Sequence, residues 1–102
     1  MKENNIKTDC RKKCKLEDML KEYISKVDAI EKLYRKIADL ENLIEAFDKD
    51  IEELDGTGLD RTVEILCKAR NSLNLEKLDL EIHICKLKLW LAEFEKARQL
   101  AQ

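Results

Sequence analysis

The chain has no proline, only two glycines and few aromatic residues. Proline and glycine are the residues that most often interrupt helices, so their scarcity favours long continuous helices. Charged residues make up 41% of the chain and aromatic residues only 5%, which is typical of coiled coils and argues against a sheet. No run of 18 apolar residues occurs, so no segment is expected to span a membrane.

Catalytic and cofactor-binding motifs are equally scarce. Two glycines are too few for a phosphate-binding loop, and neither Ser25 nor Ser72 stands in a nucleophile motif. His83, the only histidine, is the one candidate for acid or base catalysis, but it follows and precedes isoleucines and has no evident orienting partner. We therefore predict that the protein is not an enzyme and needs no cofactor.

The cysteines also require interpretation. The first 30 residues lack the apolar core of a secretion signal, so a cytoplasmic location is expected, and there the four cysteines should stay reduced. Cys10 and Cys14 have the CxxxC spacing of a helical metal-binding pair. A turn centred near residue 57 would keep them tens of Å from Cys85, so we predict no metal site and a core position for Cys67 and Cys85. Any redox or metal role of the CxxxC pair stays open.

Apolar residues recur along the first half with helical spacing. The stripe runs through Leu16, Leu20, Tyr23, Val27, Ile30, Tyr34 and Ile37 at alternating steps of four and three. It then steps to Leu40, which predicts a stammer at that point, and resumes through Ile44, Phe47, Ile51 and Leu54. Helix 1 is predicted over about residues 15–55, after a basic and flexible tail at residues 1–14.

A turn and a second helix follow. Gly56 suits a left-handed C-terminal cap, and Thr57 stands three residues before Asp60, the spacing of a capping box. Asp60 itself is the alternative cap of the second helix. We predict a turn at residues 56–59 and helix 2 at about 60–101, with a possible kink at 71–74. So short a connection makes the helices antiparallel neighbours, and the predicted fold is an all-α, coiled-coil-like hairpin.

Helix 2 is apolar on more than one side. One stripe includes Leu73, Leu80, Ile84, Leu87 and Leu91, and a second row includes Leu75, Leu78, Ile82, Cys85 and Leu89. A single partner helix cannot cover so much apolar surface. We therefore predict assembly into a helical bundle, most simply a homodimer, through Leu73, Leu75, Leu78, Leu80, Ile82, Ile84, Leu87, Leu89 and Leu91.

Charge is unevenly distributed. Residues 1–15 carry six basic and two acidic side chains, a net charge of +4, whereas residues 41–64 carry two basic and nine acidic ones, a net charge of −7. We predict that an acidic row on helix 1, or else the Leu-rich face of helix 2, binds a protein partner, as in an inhibitor or adaptor. The partner of the acidic row would be basic, and a solvated face is the alternative. The row consists of Glu41, Glu45, Asp48, Glu52 and Asp55.

The basic N-terminal segment supports a second hypothesis. Its cations can neutralise nucleic-acid phosphates without sequence preference, which would suit a nucleic-acid-associated regulator. No aromatic residue accompanies them for base stacking, so the alternative is a solubilising tail. The possible phosphate contacts are Lys7, Arg11, Lys12, Lys13 and Lys15.

Two further cations interrupt the apolar stripe of helix 2. Arg70 and Lys77 are one heptad apart and should face helix 1, where Glu41 and Glu45 are available. Charges at such positions often fix register and oligomeric state at some cost in stability.

Overall fold

The computed structural model describes the backbone of residues 2–101 and the side chains of residues 15–100. Helix α1 spans Lys2–Leu54 and helix α2 spans Asp60–Ala101, and the two run antiparallel as neighbours. The backbone of residues 2–101 contains no strand. The predicted all-α hairpin is therefore confirmed.

The helix boundaries differ from the predictions at one end. Helix α1 begins at Lys2, well before the predicted start near Lys15. Helix α2 begins at Asp60 as predicted and is continuous through residues 71–74, where the sequence suggested a kink. Whether residues 1–14 act as a unit separate from the hairpin stays a prediction.

Helix α1 ends in a glycine turn. Gly56 has a φ of 77°, the left-handed conformation that glycine adopts without steric cost, and the predicted cap is confirmed. Thr57 donates two hydrogen bonds to the carbonyl of Leu54, from its hydroxyl at 2.6 Å and from its backbone N–H at 3.2 Å. These bonds satisfy a carbonyl that the helix end leaves without an intrahelical partner.

Helix α2 opens differently from the prediction. The N–H of Val63 donates to the carbonyl of Leu59 at 3.0 Å, which places Leu59 at the N-cap. Thr57 is engaged with the end of α1, so the predicted capping box between Thr57 and Asp60 is wrong. Asp60 instead lies in the first turn, where its negative charge interacts favourably with the helix dipole.

The two helices pair in a single register. The ring of Tyr23 contacts that of Phe94 at an angle of 41°, and Arg70 donates to Asp48. The numbers of two residues that lie side by side on the two helices therefore add up to about 117. The predicted turn, centred near residue 57, implies a sum of 114 instead. The glycine turn is centred slightly later, which shifts every pairing by about one helical turn. Cys85, for example, lies near the level of Lys32 instead of Ala29.

The core consists of apolar residues from both helices near the middle of their paired region. Leu33 is 8% exposed, whereas its neighbour Tyr34 is 47% exposed, so the contact stripe of α1 passes through Leu33. With Leu33 in place of Tyr34, and the half-buried Lys26 in place of Val27, steps of three and four alternate without interruption from Tyr23 to Leu54. The predicted stammer at Leu40 is therefore wrong. The buried residues are Ile30, Leu33, Ile37, Leu40, Ile84 and Leu87.

The hairpin is a thin rod. Its radius of gyration is 23.5 Å, against roughly 13 Å for a compact chain of 100 residues, and it measures 85 × 20 × 15 Å. Two helices bury only the faces that they turn toward each other. Among the side chains of residues 15–100 none is completely buried, and much apolar surface remains in contact with water.

Candidate interaction surfaces

Two ion pairs join the helices beside the apolar stripe. The amine of Lys77 lies 3.2 Å from a carboxylate oxygen of Glu41, and the guanidinium of Arg70 donates to Asp48 at 3.2 Å. Both cations are about 30% exposed, so their stems pack at the interface while their charged ends reach its edge. The prediction that these residues face helix 1 is confirmed, but Arg70 binds Asp48 and not Glu41 or Glu45.

The predicted acidic row is thus partly used inside the hairpin. Glu41 and Asp48 are neutralised by α2, whereas Glu45, Glu52 and Asp55 are exposed and make no ion pair with any other described residue. Glu45 and Glu52 lie on the half of α1 nearest the turn, and Asp55 lies in the turn itself. This half of the hairpin keeps most of its negative charge on the surface.

Helix α2 has a second apolar stripe on the side that faces away from α1. Ile82 is 45% exposed although Ile84, two residues further, is only 4% exposed and packs in the core. Residues two apart lie about 200° apart around a helix, so the two stripes are on opposite sides. We call the exposed stripe the outer row, which consists of Leu75, Leu78, Ile82, Cys85 and Leu89.

The structure divides the predicted oligomer interface into two sets. Leu80, Ile84, Leu87 and Leu91 belong to the core cluster of the hairpin, and Leu73 is half-buried. Leu75, Leu78, Ile82 and Leu89 are between 45% and 65% exposed. Only the second set is available to another molecule without opening the hairpin.

A shallow groove lies between α1 and α2, next to the outer row. It has a volume of about 370 Å³, and its walls include Tyr34, Ala38, Ile84 and Cys85. The amine of Lys88 lies 5.2 Å from the centre of the Tyr34 ring, a cation–π distance. A side-chain hydrogen bond to Tyr34 also raises the pKa of Lys88 above its ordinary value.

Aromatic residues close the hairpin toward its open end. Phe94 lies 5.3 Å from Tyr23 and 5.4 Å from Trp90, measured between ring centres, so one ring contacts both helices. The amine of Lys26 is 5.6 Å from the centre of the Trp90 ring. Lys26 occupies a position of the contact stripe that the sequence analysis assigned to Val27, and its cation–π partner explains why the charge is tolerated there.

The remaining candidate residues lie apart from one another. Cys67 is half-buried and Cys85 is exposed, both as free thiols, so the predicted core position of Cys85 is wrong. His83 is exposed. No three potential metal ligands converge among residues 15–100. The side chains of Cys10, Cys14, Lys7, Arg11, Lys12 and Lys13 lie outside the described residues, and Lys15 is exposed.

These features define a two-helix antiparallel coiled-coil hairpin with one apolar stripe left uncovered. No helix within the described part of the chain is long and apolar enough to cross a lipid bilayer. No protein-family model, curated protein or solved structure matches the chain significantly.

Proposed function

We propose that the protein is a non-enzymatic helical interaction module that self-associates through the outer row and acts on a protein partner as an inhibitor or adaptor. The observation that supports this most directly is the exposure of the outer row. Leu75 and Leu89, seven residues away from Ile82 on either side, are 65% and 62% exposed. Four large apolar side chains in heptad spacing are the surface with which helices pair.

The size of this surface favours an assembly over a monomer. The outer row exposes apolar area on the order of a few hundred Å², the range at which patches on soluble proteins usually serve binding. Burying such area is worth about 25 cal/mol per Å², so covering the row on two molecules supplies several kcal/mol toward association. A second copy carries the same row, and symmetric pairing of identical surfaces is the commonest form of assembly.

The acidic half of the hairpin supplies the surface for a different partner. Glu45, Glu52 and Asp55 are exposed around the turn and have no cation of this chain within bonding distance among the described residues. A basic protein surface would be attracted to them, with an association rate that falls as salt rises. Self-association through α2 leaves this half of α1 free.

Light scattering coupled to size-exclusion chromatography tests the self-association. The wild-type chain should elute with the mass of a dimer, and Leu78→Glu should convert it to a monomer because a carboxylate replaces a side chain of the outer row. Leu43→Glu is the matched control, since Leu43 is equally exposed at 49% but lies on α1. A wild-type chain that stays monomeric at high concentration would contradict the proposal, as would equal disruption by both variants.

Charge reversal tests the acidic surface. The triple variant of Glu45, Glu52 and Asp55 to lysine should lose any basic protein that co-purifies with the wild-type chain, while circular dichroism stays unchanged. Reversal of Glu17, Glu22 and Glu31, which are also exposed but lie on the other half of α1, is the control. Equal retention of the partner by the triple variant at Glu45, Glu52 and Asp55 would refute this part of the proposal.

A further inference from the structure

We infer that the two copies pair through antiparallel α2 helices, about a two-fold axis that passes between the levels of Ile82 and Cys85. The inference rests on the proposed self-association and adds its orientation and register. Three observations support it. They are the spacing of the outer row, the charges on its flanks and the alternation of large and small side chains along it.

The spacing of the outer row suits antiparallel pairing. Its members alternate in steps of three and four, and Ala92, which is also exposed, continues the row after Leu89. In antiparallel coiled coils the two kinds of heptad position pair with each other across the interface. Ile82 then lies opposite Cys85 of the second copy, Leu78 opposite Leu89, and Leu75 opposite the small Ala92.

The flanks of the row carry complementary charges at this register. Asp79 and Lys86 lie on the same edge of α2, are exposed, and form no ion pair with any side chain of residues 15–100. Antiparallel pairing brings Asp79 of each copy beside Lys86 of the other. On the opposite edge it brings Glu81 beside Lys88, although within the hairpin Glu81 lies 3.9 Å from Lys77 and Lys88 contacts Tyr34. The two-fold axis forms each pair twice, so four ion pairs flank one apolar stripe.

Local charges alone would also allow a parallel pair, in which Glu81 meets Lys86 of the second copy. Side-chain volume decides between the two orientations. Parallel pairing sets identical residues against each other, so that Cys85 meets Cys85 and Ala92 meets Ala92, two layers too small to fill the space between the helices. Antiparallel pairing combines a large with a small side chain at both levels, Ile82 with Cys85 and Leu75 with Ala92, so the antiparallel arrangement is favoured.

Disulfide formation in a chain whose four natural cysteines are replaced by serine tests the orientation. One chain carries Leu75→Cys and another carries Ala92→Cys, and each is oxidised alone and in an equimolar mixture. In the antiparallel dimer, position 75 faces position 92 of the other copy, so the mixture should yield a cross-linked dimer. Each variant alone should not, because two residues at position 75 lie about 25 Å apart along the axis.

The other outcomes separate this inference from the proposed function. Cross-linking of Leu75→Cys with itself, but not with Ala92→Cys, would show a parallel dimer and overturn the inference while leaving self-association intact. A dimer by light scattering that cross-links in neither experiment would place the interface away from the outer row, which overturns the inference as well. A monomer in light scattering would overturn both proposals.

Charge exchange gives an independent test of the register. Asp79→Lys or Lys86→Glu alone should weaken the dimer about tenfold, since each places like charges together at two sites, and the double variant should restore the wild-type dissociation constant. The control pair combines Glu81→Lys with Lys86→Glu, which restores only a parallel dimer. Recovery by the control pair, without recovery by the first pair, would overturn the antiparallel register.

Discussion

Lys77 forms its 3.2 Å ion pair with Glu41 from a heptad position that would normally hold a leucine. Its stem therefore packs beside the apolar stripe, and its charge is balanced only at the edge of the interface. Arg70, one heptad earlier, does the same with Asp48. Two such pairs restrict the register of the helices to positions where both cations meet carboxylates. A slip of four residues toward the N-terminus of α1 would leave them beside Ile37 and Ile44, whereas the opposite slip would offer Glu45 and Glu52. The two pairs form at positions where apolar residues would give more stability.

Replacing the cation at position 70 should stabilise the hairpin. Arg70→Leu removes a partly exposed ion pair, worth at most about 1 kcal/mol, and adds an apolar side chain to the stripe, worth roughly 1.5–3 kcal/mol when fully buried. We expect a gain of about 1 kcal/mol and a rise in Tm of about 4–8 °C in thermal melts followed by circular dichroism.

The same substitution should make the assembly less uniform, because an apolar residue replaces a charge that restricts the register. Light scattering should show a broader distribution of masses for Arg70→Leu than for the wild-type chain. Arg35→Leu, at an exposed position of α1, is the control and should change Tm little. A lower Tm with an unchanged mass distribution for Arg70→Leu would contradict the interpretation.

Substitutions at two isoleucines of α2 should distinguish the stability of the hairpin from the strength of its self-association. Ile84 is the most buried residue described, at 4% exposure, and Ile84→Ala should lower the free energy of unfolding by about 2–4 kcal/mol. Ile82→Ala should leave the stability of the hairpin itself nearly unchanged and weaken the dimer instead. Urea unfolding at several protein concentrations distinguishes the effects, and equal losses at both positions would show that the stripes are not independent.

The turn should be sensitive to a single methyl group. Gly56 has a φ of 77° and open space around the position of a Cβ, so Gly56→Ala meets only the conformational cost of a left-handed residue, about 1 kcal/mol. Tm should fall by roughly 4–8 °C in a thermal melt. Gly56→Asn should cost less, since asparagine tolerates this conformation. An unchanged Tm for Gly56→Ala would mean that the turn adopts another conformation.

The aromatic cluster should hold the open end of the hairpin together. Phe94 contacts Tyr23 on α1 and Trp90 on α2, and it is half-buried, so Phe94→Ala should cost about 2 kcal/mol, less than at a fully buried site. Trp90 is the only tryptophan and reports the change directly. Its emission should shift to longer wavelength in the variant, whereas Leu100→Ala, at an 80% exposed position near the end of α2, should leave it unchanged.

The hairpin and its turn could be predicted because their signals are local. Helical spacing, the absence of proline and a single glycine turn act through neighbouring residues, and they identified α2 from Asp60 onward. The contact stripe of α1 was harder to predict. After Ile30, a step of three reaches Leu33 and a step of four reaches Tyr34, and both residues are apolar. Only the position of α2 across the interface decides that Leu33 is buried.

Dependence on the position of the second helix also explains the wrong predictions at the candidate sites. A shift of about one helical turn in register exchanged Glu45 for Asp48 as the partner of Arg70. The number of residues in a turn does not fix register to that accuracy, because side-chain packing along the whole interface sets it. Cys85 was assigned to the core because cysteines are usually buried, but it lies on the stripe that a single hairpin cannot cover.

Helix α2 carries its two apolar stripes on opposite sides. The folding equilibrium of the hairpin and its association equilibrium can therefore change separately. A molecule can bind at the outer row without disturbing the apolar residues of α2 that pack against α1. Binding therefore does not require unfolding, and folding does not require dissociation. Substitutions on the two sides, more than 7 Å apart and without shared partners, should then have additive effects. The strength of the complex is therefore free to change in evolution or by design while the folded hairpin remains as it is.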